Sequence, residues 1–347
     1  TPYYAAFEFD LVARAGLACQ PVYTERHAGA FSTHDEVVVD PSRYYPTVAA
    51  LDEAWATAQA AGNPPRILLL SHPHNPLGIC YPPDVLQTCL EWCLAHEIHL
   101  IADEIYAGSV YNTHTTTQGK DSTTTTNEST AVPFTSMLQL AAGTTKSDDG
   151  NGLGLGPYVH WVYALSKDFA LSGLRVGVAY SENPYIRTPL QKLNDLCQIS
   201  SQTQIWVETL LTQPAAVETN QVWPEYVRDE NHVRLRARCQ ALLTCLDECQ
   251  IPYVPPTAGL FCWMDLSAYL PAATSTSTAS ERERALYLEL MNDHGLLFTP
   301  GDSMHNEQPG FFRMVFTAAS EDEFALGLQR LRHFCQTKQK QQQQGKE

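Results

Sequence analysis

The sequence predicts an α/β fold: a large domain built on a mainly parallel sheet covered by helices on both faces, followed by a smaller α+β domain. Three observations carry this. Short apolar runs alternate with helical segments through the first part of the chain, the pattern of strands joined by crossover helices. Residues able to do chemistry stand just after three of those runs, at the strand ends where open α/β sheets gather ligands. The 347 residues are 44% apolar and 17% charged, which allows one large core and one smaller one.

The strand candidates, in order, are 18–23, 66–71, 98–102, 160–165 and 175–180, with helical segments such as 84–96 between them. Residues 113–157 interrupt the alternation with THTTTQGKDSTTTTNEST and SDDGNGLGLG, longer than an α/β unit needs. Their Thr, Ser, Asp and Gly content predicts exposed, mobile loops. The glycines at 150, 152, 154 and 156 do not form G-x-G-x-x-G and read as loop rather than nucleotide cradle. From about residue 219 the character changes, dividing a large domain (1–218) from a small one (219–335). A long helix is predicted over 225–248, carrying Arg234, Arg236 and Arg238 into an apolar stripe. The strand GLFCWMDL follows, then a helix over 281–294 stopped by Gly295, then a last helix opened by a capping box, Ser320-x-x-Glu323. The polar, repetitive tail 336–347 is expected to be disordered.

The formal charge of −16, from 22 Lys+Arg against 38 Asp+Glu with no long basic stripe, argues against nucleic acid or an anionic membrane as partner and favours small-molecule chemistry. The ten cysteines form no C-x-x-C pair. Cys89/Cys93 and Cys245/Cys249 lie four apart in helical segments and read as packing residues of a reduced protein. No apolar run approaches the roughly 18 residues of a membrane span and no signal peptide is visible, so the cytoplasm is the expected location. His72 and His74 flank Pro73 in SHPHNP; lacking further ligands, they read as turn or core residues rather than a metal site.

Residues 161–177, WVYALSKDFALSGLRVG, place Lys167 at the end of an apolar run and Arg175 eight residues later. A lysine beside a strand end can form a Schiff base with an aldehyde cofactor if its amine is neutral, and a nearby arginine can hold a phosphate with its fork of donors. Asn75-Pro76-Leu77-Gly78 follows RILLLSHP, and Asp103-Glu104-Ile105-Tyr106 follows IHLIA. Late in the chain, GFFRMVF sets Arg313 inside an apolar strand, where an idle charge would be costly to bury and a functional partner is therefore favoured.

N-P-x-G, D-E-I-Y, S-K, the arginine after it and a late arginine resemble, in that order, the motifs of class I/II aminotransferases, enzymes of pyridoxal 5'-phosphate (PLP) fold type I. The phrases ADEIYAGSVY, VYALSKDFALSGLRVGVAYS, and AGLFCWMDL followed by FTPGDSMHNEQPGFFRMVF are similar to the 1-aminocyclopropane-1-carboxylate (ACC) synthase subgroup, over about residues 1–335. The resemblance implies PLP as cofactor, an α-amino acid as substrate and a homodimer in the full-length protein. It further implies that Lys167 carries the cofactor and removes the substrate's Cα proton, that Asp103 keeps the pyridine nitrogen protonated, and that Tyr106 and Asn75 donate to the cofactor's 3′ oxygen. Tyr4 matches the residue that stacks on the ring, with Tyr3 the packing alternative one position away. Arg175 would bind the phosphate, Ser166 would add a contact to it, and Arg313 would take the substrate's α-carboxylate.

Two departures are visible. Relatives carry a phosphate-binding serine three residues before the lysine, where this chain has Ala164. The chain also begins Thr1-Pro2-Tyr3-Tyr4, so that a longer N-terminal portion, with a phosphate-cradling loop, is expected to be missing. Transamination of an α-amino acid is the leading reaction. The alternatives are ACC synthase activity, in which S-adenosylmethionine expels methylthioadenosine, and a non-catalytic relative.

Overall fold

A computed structural model describes residues 1–28, 37–111, 132–143, 152–215 and 221–344. The alternation read from the sequence begins with α1 (Val48–Ala60), opened by Thr47, whose hydroxyl accepts the Ala50 N–H. It continues through β1 (Ile67–Ser71), α2 (Pro83–Ala95), β2 (His99–Asp103), the short α3 (Met137–Ala141), β3 (Val159–Ala164) and β4 (Gly177–Ser181). The sheet order is β1-β2-β3-β4; the first three strands are parallel and β4 runs antiparallel to β3. Leu70, Leu100 and Ala102 of the strands bury against Leu86, Cys89, Leu90 and Cys93 of α2 and Leu51 of α1. With β1, β2 and β3 parallel, their C-terminal ends open at one edge: Ser71 is opposite Asp103, and Asp103 is opposite Val162.

Two helices follow, α4 (Pro184–Cys197) and α5 (Ser201–Thr212), neither with a buried residue. Then come α6 (Trp223–Cys249), β5 (Tyr253–Val254), β6 (Phe261–Asp265), α7 (Ala279–Asn292), β7 (Thr299–Pro300), β8 (Phe311–Val315) and α8 (Glu321–Gln344). These strands form a second, antiparallel sheet in the order β5-β6-β8-β7. Burial on both faces explains why β6 and β8 are apolar apart from Asp265 and Arg313. Cys262, Met264, Phe312 and Met314 face Leu242 and Leu246 of α6 and Leu331 and Phe334 of α8, whereas Trp263 and Phe311 face the first core beside Leu70 and Leu77. Arg313 is paired directly with Trp263, so it belongs to the face turned toward the first sheet.

Two expectations are corrected. Residues 18–23 are not a strand: Pro21 has no N–H for a ladder, and residues 16–22 and β1 line a common cleft of about 800 Å³ instead of pairing. The tail expected to be disordered is helical through Gln344. No Gly or Pro falls between 328 and 344, glutamine and lysine are good helix formers, and the helix is anchored by buried Phe334 and Cys335 and by Lys338 with Glu289 at 2.7 Å. The capping box at its start forms as read, Ser320 and Glu323 exchanging hydrogen bonds. Of the long connection 113–157, residues 113–131 and 144–151 lie outside the described set. Gly154, Leu155 and Gly156 donate their N–H groups to the Glu182 carboxylate at 3.0, 2.9 and 3.3 Å.

Candidate active site

Three loops leave the common sheet edge after β1, β2 and β3. The first is held by its own imidazoles. His72 Nδ1 accepts the Tyr81 N–H at 3.2 Å, which puts the proton on Nε2, and that atom donates to the Thr135 carbonyl at 3.1 Å. Burial lowers His72 to about 4 and His74 to about 3, so both rings are neutral turn and core residues. Gly78 closes the N-P-x-G turn with φ +71°, and its carbonyl accepts the N–H groups of Thr257 and Ala258 at 2.7 and 2.9 Å. A Cβ there would lie 2.8 Å from the Phe261 carbonyl oxygen, so both the backbone angle and the close approach require glycine.

This turn presents Asn75 to the second sheet. Its Oδ1 accepts from Arg313 Nη1 at 2.9 Å, a contact spanning 238 residues of sequence, while Arg313 Nη2 donates to Thr299 Oγ1 at 3.1 Å. The guanidinium lies 5.7 Å from the Phe261 ring centroid. Arg313 Nε is buried without a hydrogen-bond partner, and among the described residues no carboxylate forms a salt bridge with this side chain. Burial lowers its pKa, opposed by the nearby hydroxyls of Tyr106 and Tyr4. A desolvated guanidinium without an anion is costly to maintain unless an anion comes to it.

Asp103 ends β2 and accepts the Ile105 N–H at 3.3 Å. Burial pushes its carboxyl up to about 6, against the pull of that hydrogen bond. Tyr106 is buried on the same loop, its ring edge-on to Phe261 at 5.3 Å. Burial raises its phenol, which feels Arg313, Tyr4 and Asp103. Tyr3 is engaged elsewhere, stacked on His305 and donating to Glu8 at 2.6 Å; this leaves Tyr4 as the tyrosine near Arg313 and Tyr106. Asn75, Asp103, Tyr106, Tyr4 and Arg313 thus come together.

Ser166, Lys167 and Arg175 are carried by the loop after β3, one strand over at the same edge. Lys167 is exposed on a turn closed by the Ala170 N–H to its carbonyl at 3.1 Å. Arg175 is exposed at φ +56° and donates from Nη1 to the Ser172 carbonyl at 3.0 Å. No described hydrogen bond or ion pair joins these three to the first group. Ala164 ends β3 opposite Gly177 and offers no hydroxyl. The donor set fits PLP: among the described residues, the half-buried Asp103 carboxylate is paired with no cation, the Arg313 guanidinium of β8 with no anion, and the exposed Lys167 amine with no hydrogen-bond partner.

Sequence reasoning missed two buried carboxylates, each directly after a residue it did find. Glu104 accepts from Ser136 Oγ (2.7 Å), the Met137 N–H (2.6 Å) and Trp161 Nε1 (2.8 Å), tying α3 and β3 to the end of β2. Asp168 accepts from the Gly108 N–H, Ser109 Oγ and Tyr163 OH. Nothing local in the sequence marks them, because all but one of their donors lie more than 30 residues away. Among the described residues no group of His, Cys, Asp and Glu is arranged to hold a metal, and no helix is long and apolar enough to cross a membrane.

The family model "Aminotransferase class I and II" matches residues 16–331, and the chain belongs to that family. The family's enzymes depend on PLP. The chain is 34% identical over 334 residues to 1-aminocyclopropane-1-carboxylate synthase 1 of Oryza sativa subsp. indica, covering 96% of this chain and 59% of that protein. It is 31% identical to 1-aminocyclopropane-1-carboxylate synthase 7 of Arabidopsis thaliana, covering 96% and 64%. The chain therefore spans about three-fifths of the length of these relatives. Among solved structures, the aspartate aminotransferase of Rhizobium meliloti superposes with a TM-score of 0.67 at 19% identity, over 97% of this chain and 69% of that one, a likeness of fold.

Proposed function

We propose that this chain is the larger part of a PLP-dependent enzyme acting on an α-amino acid, with the site at the seam between units 1–218 and 219–335. The observation that carries the reading is the Asn75–Arg313 hydrogen bond, because it sets a guanidinium lacking an anion beside the sheet edge that bears Asp103, Tyr106 and Lys167. PLP, when bound, supplies an aldehyde that condenses with amines and a ring that draws electrons from the carbon attached to them. Lys167 holds the cofactor covalently and moves the proton at the substrate's Cα. Asp103 keeps a proton on the ring nitrogen: a buried carboxylate opposite a cation returns to its ionised form and holds that cation in place. Asn75, its Oδ1 engaged by Arg313, has its Nδ2 donors left for the 3′ oxygen, which Tyr106 also faces, and Tyr4 stacks on the ring. Arg175, with Ser166, binds the phosphate. Arg313 binds the substrate's α-carboxylate, through the Nε edge that has no partner among the described residues.

Transamination with a 2-oxo acid is the leading reaction. The names of the ACC synthase relatives favour a second, in which S-adenosylmethionine yields ACC and methylthioadenosine. Incubation with PLP and S-adenosylmethionine, and separately with an amino acid and a 2-oxo acid, distinguishes them by product: methylthioadenosine in the one, a new amino acid in the other. Neither product, from protein shown to bind PLP, would support the non-catalytic relative. The working form is a cytoplasmic homodimer. Leu193, Leu196, Ile205 and Trp206 of α4 and α5 are 55–82% exposed and supply an apolar surface for the second copy.

A further inference from the structure

We propose that Asp168 is a positioning residue that fixes the Lys167 turn against the loop bearing Asp103 and Tyr106; this rests on the reading of Lys167 as the cofactor lysine. Asp168 is 4% exposed and is met from three directions. Its Oδ2 accepts the Gly108 N–H at 2.7 Å and the Tyr163 hydroxyl at 2.8 Å, and its Oδ1 accepts the Ser109 hydroxyl at 2.5 Å. Its backbone carbonyl accepts from Asn231 Nδ2 of α6 at 2.9 Å, and the neighbouring His232 Nε2 donates to the Gly108 carbonyl at 2.8 Å. The carboxylate thereby joins the turn after β3, the loop after β2 and β3 itself, and its main chain ties that turn to α6.

The other end of the clasp leads to the site. The Ser109 N–H donates to the Tyr106 carbonyl at 2.9 Å, so the two residues that grip Asp168 belong to the turn that carries Tyr106. Lys167 is exposed and its amine has no described partner, so its position comes from its backbone, and Asp168 is the adjacent residue with buried contacts. Gly108 is part of the device: a Cβ there would lie 2.8 Å from Asp168 Oδ2, so any side chain would push the carboxylate out of its seat.

Hydrogen exchange of the 347-residue chain without cofactor tests the clasp independently of the PLP reading. In Asp168→Ala and in Gly108→Ala, the amides of 165–171 and of 105–110 should both lose protection, by about tenfold or more, while the β1 and β6 amides keep theirs. Asp168→Asn should stay within about twofold of the parent, because the amide oxygen can take the Gly108 and Tyr163 bonds and the amide nitrogen can donate to a rotated Ser109 hydroxyl. Should the alanine variant fail to fold, Tyr163→Phe, which removes one of three donors, is expected to give a smaller loss in the same two segments. A second readout is the yield of PLP fixed on Lys167 by borohydride: about fivefold lower in Asp168→Ala and restored in Asp168→Asn. Unchanged exchange in a folded Asp168→Ala, or an asparagine variant that behaves like alanine, would overturn the proposal. A parent that takes no label on Lys167 would instead count against the cofactor reading, and exchange alone would then decide the clasp.

Discussion

Burial disfavours the charges of both Asp103 and Arg313, and each gives a measurable consequence. Burial lifts Asp103 from its ordinary 3.8 to about 6, so between those values the folded chain holds a proton that the unfolded chain has released. Stability contributed by this group is therefore lost as pH rises from about 4 to 6, and the loss stays constant above. Asp103→Asn removes it, and without cofactor the variant should be more stable than the parent by about 2 kcal/mol at pH 7.5 and equal to it near pH 4. Urea unfolding at the two pH values measures this, and saturating PLP should shrink the difference by placing a cation opposite the carboxylate. Arg313 loses its planar fork in Arg313→Lys. The substrate KM should rise by roughly 10- to 100-fold, the loss of a charge-assisted pair, in steady-state assays of the active form.

At the scale of elements, the N-P-x-G turn does its work by docking on the second sheet. Gly78→Ala combines a left-handed φ with a 2.8 Å approach to the Phe261 carbonyl, and should cost about 2 kcal/mol of stability in urea titration. The strands 66–71, 98–102, 160–165 and 175–180 were legible to within two residues at either end, because strands of an α/β sheet are short apolar runs bounded by turn residues. Residues 18–23, Ala-Cys-Gln-Pro-Val-Tyr, read as a fifth such run and are not a strand: Pro21 has no N–H to give, and no strand of the sheet pairs with them. The tail 336–344 failed in the opposite sense. Polar repetition hides a sequence with good helix propensity, extended from a capped and buried helix start. Asn75, Asp103, Tyr106 and Arg313 were legible through local motifs, whereas Glu104 and Asp168 required knowledge of which distant donors the fold would bring to them.

At the scale of the whole molecule, two sheets meet so that one strand of the second, β8, delivers Arg313 to a turn of the first, and the candidate site exists only at that seam. The exposed apolar face of α4 and α5 carries the dimer proposal: Leu196→Glu with Trp206→Glu, both at exposed positions, should convert a dimer to a monomer in light scattering without lowering the unfolding midpoint of the isolated chain. Lys167 is proposed to hold the cofactor at this seam. The most direct test is to incubate the chain with PLP, reduce with borohydride, and locate the pyridoxyl group by peptide mapping. The expected result is a single modified peptide spanning 161–175 with the label on Lys167, lost in Lys167→Ala. Label on another lysine, or equal labelling in Lys167→Ala, would show that Lys167 is not the cofactor lysine.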